Sequence, residues 1–266
     1  MFKTWLESQK DWNKFIHQRE LSFMKQPENP LHQYAPIPED EYYSYKPEKL
    51  YHVTTNLHAI KIDLALKARS QLSKSQNIGL GGGARNESPR TISLTYNYHR
   101  ALEIYNAILY VINICQGKIK ASEVYEYLNN AADLDFPEDE LTHFENKLTY
   151  YVPTKYVKNG DVNKIKQILD KKIKTPKNIY DFFTELEKAV IEDQHANYAD
   201  FSEDIITYNV IGFTATYENM VKINPQNVAI IQCLIRKNSK IEHIPQEVEI
   251  RVAPENITIL KYIQPH

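Results

Sequence analysis

Residues 49–55 of this chain are Lys-Leu-Tyr-His-Val-Thr-Thr. Valine, threonine and tyrosine are enriched in β-strands, so the segment predicts a short strand. Because successive side chains alternate between the two faces of a strand, His52 and Thr54 share one face. They could offer a ring nitrogen and a hydroxyl to a bound ligand. They could equally be a buried histidine beside an ordinary strand threonine, and the segment alone favours this second interpretation.

The residues that follow predict two helices, a loop and a second strand. Asn56 is a favourable N-cap for a helix that runs to about Lys67. Residues 69–89 are polar and rich in glycine, which predicts a loop. The second strand is Thr-Ile-Ser-Leu-Thr at 91–95. Residues 99–115 predict a helix that is apolar nearly all round and therefore buried.

The middle of the chain, residues 118–204, has helical periodicity throughout. Apolar positions recur at helical spacing in four stretches, which predicts four amphipathic helices. Lysines and glutamates fill the other faces, and such faces are usually solvated. We interpret this region as a helical insertion that could also contact a partner, and the four stretches are 124–128, 141–148, 162–169 and 179–190.

After residue 205 the apolar period returns to two, which predicts four late strands. Together with the two early strands, they predict an α+β fold whose sheet is assembled from both ends of the chain. The N-terminal part predicts a helix over 1–26 and an extended, proline-rich connector over 27–48. The late strands are expected at 205–216, 227–235, 246–253 and 256–263, and the expected units are 1–48, a core of 49–117 with 205–266, and the insertion 118–204.

The composition excludes several classes of protein. The chain has 266 residues and a net charge of -2, so no overall basic field gathers a phosphate backbone, although a local basic patch remains compatible with it. No apolar run approaches the roughly 18 residues of a membrane span. The first residues lack a signal-peptide core, which leads us to expect a cytoplasmic protein or an effector delivered without a cleaved leader. Cys115 and Cys233 lie in apolar surroundings and predict buried thiols, not a disulfide or a metal site.

The late segment 246–253 contains a second candidate for chemistry. Alternation places Glu247, Glu249 and Arg251 on one face of the predicted strand. Paired carboxylates can act in acid–base catalysis or stabilise a cation. The same charges could also belong to a solvent-facing edge that deters aggregation, and the pattern does not separate these possibilities.

Two further patterns lie near the second strand. Four of the seven glycines fall within 79–83, where they predict either a flexible rim over a ligand or a mobile surface loop. This loop has neither the P-loop nor the dinucleotide-binding spacing. The hydroxyls of the second strand and the tyrosines after it could hold and stack a flat ring, or could pack into the core. These residues are Ser93, Thr95, Tyr96, Tyr98 and Tyr105.

The order of these patterns resembles the ADP-ribosyltransferase superfamily, which includes mono-ADP-ribosylating toxins and poly-ADP-ribose polymerases. The segment 51–54 is similar to the first-strand histidine motif of the polymerase branch, 91–95 to the Ser-Thr-Ser strand of the toxin branch, and 246–250 to the Glu-x-Glu motif. The resemblance covers about 49–115 and 205–263. The chain departs from it in combining a first-strand histidine with Glu-x-Glu, and in having Leu94 within the middle motif.

The resemblance implies a split β-sheet and the transfer of ADP-ribose from NAD to a macromolecular acceptor, with release of nicotinamide. It implies that Glu249 stabilises the ribose, that Glu247 serves the acceptor, and that the two could exchange roles. No metal is implied. The residues expected to bind NAD are His52 and Thr54 at the adenine-side ribose, Ser93 and Thr95 as braces, Tyr96 or Tyr105 stacked on nicotinamide, Gly81 and Gly82 in the rim, and Arg69 and Arg85 at the pyrophosphate.

Several alternatives stay open at this point. Water could replace the acceptor, which would make the protein an NAD glycohydrolase. An RNA 2′-phosphotransferase has a similar fold but relies on several arginines, and the late strands offer only Arg236 and Arg251. A helical adaptor with a vestigial NAD cleft is the alternative without catalysis. For a transferase we expect a protein acceptor in preference to a nucleic acid.

Overall fold

The structure, a computed structural model, describes residues 49–72, 90–131, 141–198, 215–236, 239–244 and 249–265. The fold combines an antiparallel sheet with a set of helices. The strands are β1 Leu50–Thr54, β2 Ile92–Thr95, β3 Ala229–Ile235, β4 Ile241–Ile244, β5 Glu249–Val252 and β6 Ile257–Ile263. The helices are α1 Leu57–Asp63, α2 Tyr98–Cys115, α3 Ala121–Ala131, α4 His143–Leu148, α5 Thr154–Lys158, α6 Val162–Lys172, α7 Pro176–Tyr198 and α8 Tyr217–Met220.

The six strands form one sheet in the order β4-β5-β2-β1-β3-β6, and all neighbours are antiparallel. The two early strands lie in the middle, and late strands flank them on both sides. An α+β fold whose sheet draws strands from both ends of the chain is therefore confirmed. Within it, β4 was not predicted, because four residues are too few for a clear alternation of apolar and polar positions.

The sheet consists of two three-stranded halves that meet at a narrow seam between β1 and β2. In the described residues the register of this seam is the pair Tyr51–Thr95. By contrast, β1 pairs with β3 along its whole length, from Leu50 to Thr54, and β2 pairs with β5 from Ile92 to Thr95. We define the seam as the junction of β1 and β2 around this pair.

The two faces of the sheet are covered by different layers. One face carries Leu50, Leu94 and Ile231, which pack with α1 in a small apolar core. The opposite face carries Val53 and Ile230, which pack against α2 and the middle helices in a larger core. The middle helices therefore share one apolar core with α2 and β3.

The predicted helices of 118–204 are confirmed as α3, α4, α6 and α7, and α5 is an additional short helix. The helix predicted for 99–115 begins at Tyr98, because the Asn97 side chain accepts the amides of His99 and Arg100. The helix after Asn56 ends at Asp63, short of Lys67, because Leu64 adopts a left-handed backbone with φ 52°.

The strand predicted over 205–216 does not continue to its end. Ala215 and Thr216 are not in a strand, and the Thr216 side chain caps α8 by accepting the amide of Asn219. Residues 205–214 lie outside the described residues. The N-terminal helix 1–26 and the connector 27–48 lie outside them as well.

Asp193 of α7 fixes the start of α4. Its carboxylate is buried and accepts the backbone amides of His143 at 2.6 Å and Phe144 at 2.9 Å. These amides are among the four at a helix N-terminus that have no partner within the helix. Asp193 therefore ties two helices that are separated by about fifty positions.

We expect Asp193→Ala to lower the free energy of unfolding by about 3 kcal/mol, because it strips two buried amides of a charged acceptor. Urea denaturation measures this loss. The control is Asp181→Ala on the same helix, which breaks an exposed pair with Lys177 and should change stability little. Equal losses for the two variants would contradict the assigned role of Asp193.

Candidate functional site

The polar residues of β2 and β5 lie on one face of the sheet next to the seam. The register pairs Ser93 with Arg251 and Thr95 with Glu249. Because paired residues of neighbouring strands point to the same face, these four side chains share it. Sequence alternation predicts that Glu249 and Arg251 lie on one face, but only strand pairing brings Ser93 beside them.

Two donors hold the carboxylate of Glu249 by one oxygen. The Ser93 hydroxyl donates to Glu249 Oε1 at 2.6 Å, and Arg251 Nε donates to the same oxygen at 2.6 Å. The Arg251 side chain is 3% exposed and that of Glu249 is 14% exposed. Within the described residues Glu249 Oε2 has no hydrogen bond, so one oxygen is fixed while the other can bind a ligand.

His52 contacts the same serine from the other side of the seam. Its Nδ1 lies 3.0 Å from the Ser93 carbonyl oxygen. A carbonyl can only accept, so Nδ1 carries the proton and donates it. Burial lowers the pKa of His52, and the hydrogen bond to Ser93 offsets part of that shift. In the neutral ring Nε2 is then an acceptor, suited to a hydroxyl group.

Ser93 therefore joins the early histidine to the late glutamate. Its carbonyl accepts from His52 and its hydroxyl donates to Glu249. Strict alternation assigns His52 to the face of Leu94, opposite Ser93, but its ring reaches the Ser93 backbone across the seam. We call His52, Ser93, Glu249 and Arg251 the seam site.

The two threonines named from the sequence have local hydrogen bonds. Thr54 Oγ1 accepts the amide of Asn56 at 3.0 Å, and Thr95 Oγ1 accepts the amide of Asn97 at 3.2 Å. Both threonines are buried, and each hydroxyl shapes the turn from a strand into the next helix. Their observed role is to fix the ends of β1 and β2 beside the seam site.

The aromatic residues divide into buried and half-buried rings. Tyr105 is only 6% exposed, its hydroxyl donates to the Pro265 carbonyl at 3.4 Å, and burial raises its pKa. Its ring lies in the larger core, so the structure does not support Tyr105 as a stacking residue. Tyr96 is half-buried against the smaller core.

Tyr51 and Tyr98 form an aromatic pair that the sequence analysis did not assign to the site. Their ring centroids are 5.2 Å apart in an edge-to-face arrangement. Tyr51 lies opposite Thr95 across the seam. Burial and the neighbouring Tyr98 raise the pKa of Tyr51. The signal was present in alternation, because Tyr51 faces away from His52.

The remaining predicted residues have no described side-chain geometry. Glu247, Gly81, Gly82 and Arg85 lie outside the described residues. Arg69 begins a 3-10 turn, Arg69–Gln71. The acceptor-side glutamate and the predicted glycine rim therefore stay predictions.

Both cysteines are buried, as predicted. Burial raises the pKa of each thiol to about 12, so neither is a thiolate nucleophile at neutral pH. In the part of the chain that the structure describes, no group of three or more His, Cys, Asp or Glu side chains is placed to hold a metal ion. The chemistry of the seam site therefore rests on its carboxylate, imidazole, hydroxyl and guanidinium groups.

The lowered pKa of His52 predicts a pH-dependent stability. The unfolded ring titrates near 6.5, and the folded ring titrates lower, so the unfolded state binds the proton first as the pH falls. The stabilisation is therefore present above pH 6.5 and is lost as the pH falls towards the folded pKa, with a slope of at most ~1.4 kcal/mol per pH unit. Urea denaturation between pH 7.5 and 5 measures it.

We expect His52→Gln to flatten this slope, since glutamine can donate to the Ser93 carbonyl but does not titrate. His58→Gln is the control, because His58 is exposed. A wild-type slope in the His52→Gln protein would show that other groups cause the pH dependence.

Comparisons with known proteins leave the site geometry as the basis for function. No protein-family model, curated protein or solved structure matches this chain. Over the described ranges, no helix combines the length and the apolarity that crossing a bilayer requires.

Proposed function

We propose that this protein transfers ADP-ribose from NAD to a macromolecular acceptor and releases nicotinamide. The observation that carries the proposal is the fixed carboxylate of Glu249, held by Ser93 and Arg251, with His52 on the same serine. One oxygen of this carboxylate has no protein partner in the described residues. A carboxylate held in this way can face a developing positive charge without reorganising.

The reaction needs such a charge more than it needs an acid. The nicotinamide of NAD is already cationic, so it leaves as a neutral ring when its bond to the ribose breaks. Positive charge then spreads over the ribose carbon and ring oxygen. Glu249 Oε2, placed beneath the ribose or on its 2′-hydroxyl, would stabilise that charge in the transition state more than in the ground state.

The other members of the seam site position the carboxylate and the substrate. Ser93 and Arg251 fix Oε1, which limits rotation of the Glu249 side chain. His52 Nε2 can accept a hydroxyl of the adenine-side ribose while Nδ1 stays bound to the Ser93 carbonyl. Tyr96 is the stacking candidate that keeps partial exposure.

The sheet supports this proposal through its two halves. The resemblance implies a split sheet, and the two three-stranded halves are joined at Tyr51–Thr95 alone within the described strands. His52 comes from one half and Glu249 from the other. A dinucleotide lying along the seam would contact both.

Incubation with NAD labelled on the adenine side tests the proposal. Label on protein in a lysate, together with the mass of ADP-ribose on a peptide, supports transfer to a protein acceptor. Label on nucleic acid would support transfer but would overturn the expected acceptor class. Free ADP-ribose alone would indicate a glycohydrolase, and an absence of turnover would favour the adaptor with a vestigial cleft.

His52→Ala should raise the Michaelis constant for NAD about tenfold, because it removes one hydrogen bond to a ribose hydroxyl. Initial rates at varied NAD concentration measure the effect. The matched control is His58→Ala on α1, an exposed histidine outside the seam site. An unchanged Michaelis constant in folded His52→Ala protein would assign His52 a structural role only.

A further inference from the structure

The middle helices carry a strong charge excess that the seam site does not use. Residues 147–177 contain nine lysines and two aspartates, a net charge of +7 in a chain whose total is -2. This stretch covers the end of α4, the whole of α5 and α6, and the start of α7. The rest of the molecule is therefore acidic, and the positive charge is concentrated on one group of helices.

The two aspartates of this stretch do not neutralise the lysines. Asp170 accepts the amide and the hydroxyl of Ser122, and Asp161 caps α6 through the amide of Lys164. Lys147, Lys166 and Lys177 pair with glutamates or aspartates outside the stretch. Five exposed lysines form no ion pair with the described residues: Lys155, Lys158, Lys164, Lys171 and Lys174.

Exposed tyrosines lie among these lysines. Tyr150 is 73% exposed, with the Lys147 ammonium 5.1 Å from its ring centroid. Lys172 donates to the Tyr151 carbonyl at 3.1 Å, which places the end of α6 beside this aromatic residue. The Lys155 ammonium lies 4.8 Å from the ring centroid of Tyr156. Lysine and tyrosine side chains therefore alternate on this surface.

We propose that this basic surface, formed by Tyr150 and the five exposed lysines, binds single-stranded nucleic acid. Unpaired lysines attract a phosphate backbone and release its counterions. An exposed aromatic ring offers a stacking face to an unpaired base, which a duplex or an acidic peptide cannot use in this way. The inference goes beyond the proposed function and does not depend on NAD.

Fluorescence anisotropy with labelled 20-nucleotide oligouridylate and oligothymidylate tests this surface in the full-length protein without NAD. Binding should weaken as salt rises from 50 to 200 mM, with a logarithmic slope of about -3.5 if five lysines each neutralise one phosphate. Duplex of the same length should bind more weakly than single strands. An absence of binding at 50 mM salt would overturn the proposal.

Matched variants separate this surface from general charge. The triple variant Lys155→Glu, Lys158→Glu and Lys171→Glu should weaken binding more than about tenfold. The control triple, Lys222→Glu, Lys240→Glu and Lys261→Glu, changes the total charge equally at exposed lysines elsewhere. Equal losses in the two triples would overturn the proposal.

Tyr150 provides the test of nucleic acid against acidic peptide. Tyr150→Ala should weaken single-strand binding about tenfold, whereas Tyr150→Phe should keep it, because phenylalanine retains the stacking face. Polyglutamate is the competing probe. If polyglutamate binds as tightly as the oligonucleotides and Tyr150→Ala changes neither affinity, the surface serves an acidic protein and the proposal fails.

Discussion

Glu249→Gln should lower the turnover number for ADP-ribose transfer by 10²–10³-fold, equivalent to about 3–4 kcal/mol of lost transition-state stabilisation. Glutamine keeps the size of the side chain and can still accept from Ser93, but it lacks the negative charge that opposes the developing cation. The Michaelis constant for NAD should change little, because the loss falls on the transition state. Initial-rate kinetics with labelled NAD measure both constants.

The neighbouring Arg251 makes a stability control necessary for this variant. Arg251 is 3% exposed and its Nε donates to Glu249, so glutamine leaves a buried cation without its carboxylate. Thermal unfolding must show that the variant is folded at the assay temperature. Glu249→Asp is a second variant, because it keeps the charge but withdraws the carboxylate from the seam. A folded, fully active Glu249→Gln protein would remove Glu249 from the mechanism.

Arg251→Met should lower the free energy of unfolding by about 3 kcal/mol, the lower end of the range for breaking a buried ion pair. Methionine fills much of the volume of arginine but leaves the Glu249 carboxylate, itself 14% exposed, without its cationic partner. The carboxylate keeps the Ser93 hydroxyl as a donor. Chemical denaturation measures the change in stability.

A double-mutant cycle isolates the pair. If the loss comes from an uncompensated carboxylate, Arg251→Met combined with Glu249→Gln should be more stable than the sum of the single losses predicts. Additive losses would show that Arg251 stabilises the fold through other contacts. Arg251→Met should also lower the turnover number while leaving Glu249 in place, since Arg251 acts as a positioning residue for the carboxylate.

Several parts of the candidate site could be predicted from local sequence patterns. Alternation within one strand predicts that Glu249 and Arg251 share a face, and apolar surroundings predict the burial of both cysteines. Helical spacing predicts α2 and four of the middle helices. These are properties of residues a few positions apart, so periodicity alone can reveal them.

Other parts depended on contacts between distant segments. Thr54 and Thr95 were candidate ligand residues, yet their hydroxyls accept amides two positions later. Tyr105 was a stacking candidate, but the larger core covers its ring. A single sequence does not reveal which of several tyrosines a neighbouring helix will cover, because that choice depends on packing between distant elements.

By itself, then, the sequence determined the class of fold, the position of its early strands and the residue types available for chemistry, because these follow from local propensity and alternation. Only the tertiary structure decided that Ser93 connects His52 to Glu249 and that Arg251 pairs with that glutamate. The physical reason is that strand order and register are set by the packing of the whole chain. A hydrogen bond between residues 156 positions apart leaves no trace in the local pattern of either segment.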